Sequence, residues 1–183
     1  TTLFRSLKHL NQGLALHIAA LGENDLAVAN GYNNIGNVYA DQGNNAEALK
    51  YLKKGLLLKV AILGEHHPSV ATSHNNIGSV YAGQGNYAEA LKHLEQGLQL
   101  HISALGTNHS HVASSYCNIG LLYEQQDNCE QALEYIEQGL KIFECTLGKE
   151  HPHTQRATES LERLQLQVSQ WHEYLSRMPS EEK

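Results

Sequence analysis

Cysteine is scarce in this chain: Cys117, Cys129 and Cys145 are odd in number and form no CxxC pair, which leaves neither a disulfide framework nor a thiol metal ribbon. Reduced thiols in a cytosolic setting are the expectation. Positive charge is also short, with 13 basic residues against 19 acidic ones and a formal charge of −6. A nucleic-acid partner needs clustered Lys and Arg, so that class is set aside. No apolar run approaches the roughly 18 residues of a membrane span. The first residues, Thr1-Thr2-Leu3-Phe4-Arg5, include no initiator Met and no signal pattern, and read as part of a longer protein. The remaining composition, 41% hydrophobic and 17% charged over 183 residues, suits one domain or one continuous array with ample core.

What is present is repetition. Asn33-Asn34-Ile35-Gly36 returns as Asn75-Asn76-Ile77-Gly78 and as Cys117-Asn118-Ile119-Gly120, a spacing of 42. Tyr39, Tyr81 and Tyr123 keep that spacing, as do Ala48-Leu49, Ala90-Leu91 and Ala132-Leu133. Leu63-Gly64, Leu105-Gly106 and Leu147-Gly148 close the units, and Leu21-Gly22 closes an earlier one. A period of this length marks a repeat architecture.

Within a unit the period is helical. Tyr32, Ile35, Gly36 and Tyr39 share one face, and Ala48, Leu49, Leu52, Leu56 and Leu63 line another stripe. Gly43 suits the left-handed position that ends a helix, and Pro68 and Pro152 suit a first helical turn. Each unit is therefore a hairpin, with helix A near 27–42 and helix B near 45–63. Gly36, Gly78 and Gly120 lie mid-helix A, faced by Ala48, Ala90 and Ala132. Gly13, Gly55, Gly97 and Gly139 interrupt helix B, where each costs about 1 kcal/mol relative to Ala. The simplest expectation for that cost is close contact with helix A of the next unit.

Gly36, Tyr39, Ala48 and Leu52 fall at the small, aromatic, small and large positions of the tetratricopeptide repeat (TPR), and Gly55 sits where that repeat usually has Ala. The period is 42 rather than the usual 34 or so. Together with Asn75-Asn76-Ile77-Gly78 and Leu63-Gly64-Glu65-His66-His67-Pro68, it resembles the longer repeat of kinesin light chains and related signalling proteins. The resemblance implies an all-α fold, a right-handed α-solenoid of stacked antiparallel helix hairpins. It implies a non-enzymatic protein-interaction module within a larger signalling, adaptor or transport protein. The expected organisation is helix B of a partial repeat at 1–22, repeats at 23–67, 68–109 and 110–151, a capping helix at 152–178 and a disordered tail at 179–183.

The resemblance also places helix A on the concave side, so its polar stripe is the expected peptide-binding surface. The stripe is Asn30, Asn33, Asn34, Asn37 and Asp41 in the first repeat, then Thr72, Asn75, Asn76 and Ser79 in the second. Ser114, Cys117, Asn118, Leu121 and Gln125 occupy it in the third, with all but Cys117 taken as binding residues. Asparagine is a mediocre helix former, so its recurrence here demands a reason. An amide can both donate to and accept from one peptide unit of an extended chain, which makes Asn34, Asn76 and Asn118 a candidate ladder. The alternative is that these amides tie neighbouring helices together. Segments 27–42, 69–84 and 111–126 contain no Lys or Arg, whereas Asp41 and Glu124 are acidic. The clamp of Lys, Arg and Asn that holds acidic chaperone tails in other tetratricopeptide domains is missing, as are the basic groove residues of kinesin light chains. The expected partner is a protein or extended peptide, neutral to basic, with no membrane or nucleic acid; the competing role is a structural scaffold that self-associates or packs on its own protein, with no peptide ligand.

Loop histidines pair as His66-His67, His109 with His111, and His151 with His153. A metal site competes with plain cap composition, with His67, His109 and His151 at equivalent positions; the spacing of 42 sets the pairs too far apart to share an ion and favours caps, so no metal and no cofactor are expected. Cys117 faces the expected groove with no base or cation beside it. No catalytic constellation emerges, and the chain is expected not to be an enzyme.

Overall fold

In the computed structural model residues 2–177 are described, and among them every element is an α-helix. The order is α1 Thr2–Leu21, α2 Leu26–Asp41, α3 Asn45–Leu63, α4 Pro68–Gly83, α5 Tyr87–Leu105, α6 Ser110–Glu124, α7 Cys129–Leu147 and α8 Pro152–Arg177. The pairs α2/α3, α4/α5 and α6/α7 are antiparallel hairpins, each an A helix followed by a B helix. Met178 and the tail at 179–183, expected to be disordered, lie outside the described residues.

Local chemistry accounts for the helix ends. Helix B begins each time at an Asn: the side chains of Asn44, Asn86 and Asn128 accept from the backbone N–H of Glu47, Glu89 and Gln131. These are N-caps that satisfy one of the orphan donors of a first turn. Asp25 caps α2, its Oδ1 accepting from Ala27 N–H at 2.7 Å. At the three later A-type helices the cap is a histidine. Nδ1 of His67, His109 and His151 accepts from the N–H of Ser69, His111 and His153 at 3.1, 3.1 and 3.2 Å. Three of the six loop histidines are thus caps, at the equivalent positions 67, 109 and 151. The turn after helix A needs a left-handed residue, supplied by Gly43 and Gly85 in two repeats. In the third repeat Asp127 adopts it, with φ 57°, a conformation Asp tolerates better than most residues.

Packing divides the chain into two compact units, Thr1–Gly106 and Thr107–Lys183. In the first, Leu7 and Leu14 of α1 join Val28 and Ile35 of α2, with Tyr51 and Leu58 of α3 against them. Ala48 and Leu52 of α3 then meet Ile77 and Val80 of α4. In the second, α8 docks on α7 and α6. Ala157 joins Ala113 and Phe143, and Leu164 joins Ala132 and Ile136.

The glycines explain how each hairpin closes. A Cβ on Gly36 would lie 2.7 Å from Leu52 Cγ and 3.1 Å from the Ala48 carbonyl; at Gly78 it would meet Leu94 and Ala90 in the same way. The helix-B glycines make a second notch in the same hairpin rather than contacting the next one, which corrects the sequence expectation. A Cβ on Gly55 would stand 2.9 Å from the Ala29 carbonyl of α2. One on Gly139 would stand 2.9 Å from the Ala113 carbonyl and 2.6 Å from Cys117 Sγ. Two notches per hairpin, one in each helix, let the backbones approach at both ends of the contact. Gly13 has nothing within 4 Å, because no A helix precedes α1 among the described residues.

That contrast gives equivalent positions opposite mutational signs. Gly13→Ala should stabilise by about 0.5–1 kcal/mol through helix propensity alone. Gly55→Ala and Gly139→Ala should destabilise by about 1–3 kcal/mol through overpacking, read by urea denaturation. Thr154 occupies the register of Val28, Val70 and Val112; it is 1% exposed and its hydroxyl is without a hydrogen-bond partner. Thr154→Val should therefore stabilise by about 1–2 kcal/mol in the same assay.

Candidate interaction surface

Two registers of the helix-A stripe part company in the fold. Asn33 and Asn75 are 9% and 6% exposed and point into their hairpins. A Cβ on Gly97 would run into the Asn75 amide, and one on Gly55 would lie 3.4 Å from the Asn33 backbone nitrogen. Position 117 follows the same register, and Cys117 packs on Gly139. Its thiol therefore does not stand out into a groove as a nucleophile: burial pushes it up to about 12, and it stays protonated at neutral pH.

The next register, 34/76/118, points outward. Asn34 is exposed, while Asn76 and Asn118 are half-buried. Asn76 Nδ2 donates to Asn33 Oδ1 at 3.3 Å, linking α4 to α2. That bond leaves the Asn76 carbonyl oxygen and its second N–H available.

In the first unit, Asn37, Asp41, Asn76 and Ser79 come together. With Ala40, Asn45, Val80 and Gly83 they line an open cleft of about 460 Å³ between α2 and α4, and no Lys or Arg lines it. In the second unit, Ser114, Asn118 and Leu121 line a slot of about 180 Å³ floored by Ile136 and Phe143, and Cys117 forms part of its wall. Asn30, Asn34 and Gln125 are exposed and line neither hollow. Thr72 turns inward, its hydroxyl 3.3 Å from the Pro68 carbonyl and 3.5 Å from His101 Nε2.

Sequence reasoning missed what α8 brings to the second slot. His153, Arg156, Ala157 and Ser160 form its far wall, so a cation is present where segments 111–126 supplied none. Arg163 also pairs bidentately with Glu124, Nη2 lying 2.9 and 3.0 Å from the two carboxylate oxygens. Glu124 therefore does not lend its charge to the surface as expected. Asp41, on the first unit, remains exposed. The signal existed in the sequence, since α8 continues the A-helix register and carries both Arg156, which lines the slot, and Arg163, which pairs with Glu124.

Each hairpin also holds an aromatic trio beside its A/B contact. Tyr32, Tyr39 and Tyr51 pack together in the first repeat, and Tyr116, Tyr123 and Tyr135 in the third, with centroids 5.4–6.1 Å apart. In the middle repeat the trio is His74, Tyr81 and His93. The imidazoles face each other with Nδ1 atoms 2.9 Å apart, and Tyr81 stacks on His93 at 5.6 Å. Lys53 of α3 donates to the Tyr81 hydroxyl at 2.9 Å.

The tetratricopeptide-repeat model matches residues 3–59, 28–101 and 69–144, together spanning most of the sequence. The chain belongs to the tetratricopeptide-repeat family. No curated protein matches it. Among solved structures, the kinesin light chain-type, nearly identical TPR-like repeats of Podosopora anserina are similar with a TM-score of 0.70 and 22% identity, covering 95% of this chain and 82% of that one. BtubC (BKLC) from P. vanneervenii is similar with a TM-score of 0.75 and 19% identity, over 90% of this chain and 65% of that one. The N-terminal domain of stress-induced protein-1 (STI-1) from C. elegans scores 0.54 at 18% identity, over 76% and 96%. At these identities the likeness is one of fold. Among the described residues of this tetratricopeptide array, no helix is long and apolar enough to cross a membrane, and no three of His, Cys, Asp and Glu gather as a metal cage.

The histidine pair makes this repeat acid-sensitive. Burial, and secondarily the neighbouring His93, lowers His74 to about 4, and burial lowers His93 as well. Glu89 opposes the shift at His93, while Lys53 and Lys92 reinforce it. A folded pKa below the unfolded value of about 6.5 means that the unfolded chain takes up the proton first. The stability contributed is full above about pH 6.5 and is lost as pH falls toward 4. Discounted for solvent screening of half-exposed rings, the loss at pH 5 is on the order of 1 kcal/mol. His74→Tyr with His93→Tyr, which installs the residues of the neighbouring repeats, should remove that part of the fall in Tm between pH 7 and 5.

Proposed function

We propose that the outward face of the A helices binds an extended segment of a partner protein, as a recognition module within a larger signalling, adaptor or transport protein. The family is a general protein-interaction module, and this reading adds where and how. The observation that carries it is the cleft of the first unit, where Asn37, Asp41, Asn76 and Ser79 converge between α2 and α4 with one carboxylate and no lining cation. Amides there can pair with the donors and acceptors of a passing peptide backbone, while Asp41 favours neutral or basic side chains. Asn118 would play the same role on the second unit, beside a slot in which Arg156 disfavours basic side chains. We read α8 as the C-terminal cap of the repeats. In the registers where other A helices carry glycine and tyrosine, it presents exposed Glu162 and Gln165, polar groups suited to water rather than to a following B helix. A structural role for the amides is the second reading, supported by the Asn76–Asn33 bond; on that reading the array packs on its own protein or a second copy.

Short immobilised peptides of basic, neutral and acidic composition, probed with the whole chain, separate the two. Basic and neutral peptides should bind and acidic ones should not. Asn34→Ala or Asn118→Ala should weaken capture by about 1–3 kcal/mol, some five- to a hundred-fold, irrespective of side-chain sequence. Asp41→Ala should weaken basic peptides alone, and more so at low salt. If the alanine variants capture every peptide as the wild type does while Asn76→Ala lowers only Tm, the amides are structural.

A further inference from the structure

The middle repeat differs from its neighbours at two positions that touch. Where the first and third hairpins pair Tyr32 with Tyr51 and Tyr116 with Tyr135, the second pairs His74 of α4 with His93 of α5. Either histidine alone would be a polar defect in an aromatic contact; together they put two metal-ligating nitrogens opposite each other on separate helices. We propose that His74 and His93 form a two-imidazole chelate for a divalent transition-metal ion, Cu²⁺ or Ni²⁺ ahead of Zn²⁺, which clips α4 to α5.

The geometry supports the assignment. Metal–imidazole bonds are about 2.0–2.1 Å, so two nitrogens at right angles around a square-planar ion lie about 2.9 Å apart, and two around a tetrahedral ion about 3.3 Å. The two Nδ1 atoms are 2.9 Å apart already, the cis spacing of the square-planar ions. Turning each ring so that both lone pairs converge on one point exchanges the histidine–histidine hydrogen bond for two metal bonds. Both rings are neutral at pH 7, the state a ligand must have. Both are also half-exposed, so water can complete the coordination; two protein ligands make an exchangeable site rather than a structural one.

The charges around the pair leave it approachable. Lys53 is engaged with the Tyr81 hydroxyl and Lys92 with Glu89 at 3.8 Å, while Glu89 lies one turn before His93 on α5. The loop histidine pairs are less suited. One member of each, His67, His109 or His151, already uses Nδ1 to accept a backbone N–H, so that nitrogen cannot bind an ion without uncapping a helix.

The test is thermal unfolding of the whole chain in a non-coordinating buffer at about pH 7.5, with and without NiCl₂ or CuCl₂, together with Cu²⁺ electron paramagnetic resonance. Wild type should gain Tm as the ion is added, lose the gain with EDTA, and give a one-to-one Cu²⁺ spectrum with two nitrogen ligands. His74→Tyr/His93→Tyr should keep the fold and lose both signals, whereas His109→Gln/His111→Gln should keep them. A metal-induced gain that survives in the double tyrosine variant, or a wild-type Tm that saturating ion leaves unchanged, overturns the proposal.

Discussion

Close backbone approach within the hairpin is the constraint on which the rest depends. Gly36 receives Leu52 and the Ala48 carbonyl, and Gly55 receives the Ala29 carbonyl, so the two helices of one repeat sit nearer than side chains would otherwise allow. Once that distance is set, positions 33, 75 and 117 are forced inward against a helix-B glycine, and 34, 76 and 118 are left outward. The division between amides turned into the hairpin and amides turned outward follows from where the notches fall. The aromatic trios fill the same hairpins beside those contacts, so the unit is closed by its own residues before any neighbour is added.

Much of this was legible in the sequence because the repeat reports the same environment three times. The helix bounds, the Gly36/Ala48 contact, the caps at His67, His109 and His151, and the family all follow from the spacing of 42. The direction of the helix-B glycines was not legible. Periodicity says that Gly55 faces something close, but both its own A helix and the next lie on sides that a small residue could serve. The fate of Asn33 against Asn34 was hidden for a similar reason: adjacent residues on a helix differ by about 100°, and a polar type does not say which of the two is buried.

Electrostatics were the least readable part, because charge is supplied across helices far apart in sequence. Glu124 is acidic in isolation and neutralised in place, by Arg163 nearly forty residues on. Arg156 reaches a slot otherwise built from α6 and α7. Asp41 stays exposed, whereas Glu124 meets its partner on another helix. The same holds for Cys117, whose solvent access is decided by a glycine on another helix.

The histidine caps carry a consequence of their own. Because Nδ1 accepts the backbone N–H, the ring proton must sit on Nε2, which fixes the tautomer and turns an N–H outward from each loop. An imidazolium has no lone pair left to accept with. The starts of α4, α6 and α8 are therefore fastened by a group that works only while uncharged, whereas Asp25 fastens α2 best when charged. One chain thus fastens its helix starts with two chemically opposite groups, a ring nitrogen lone pair at three of them and a carboxyl oxygen at one.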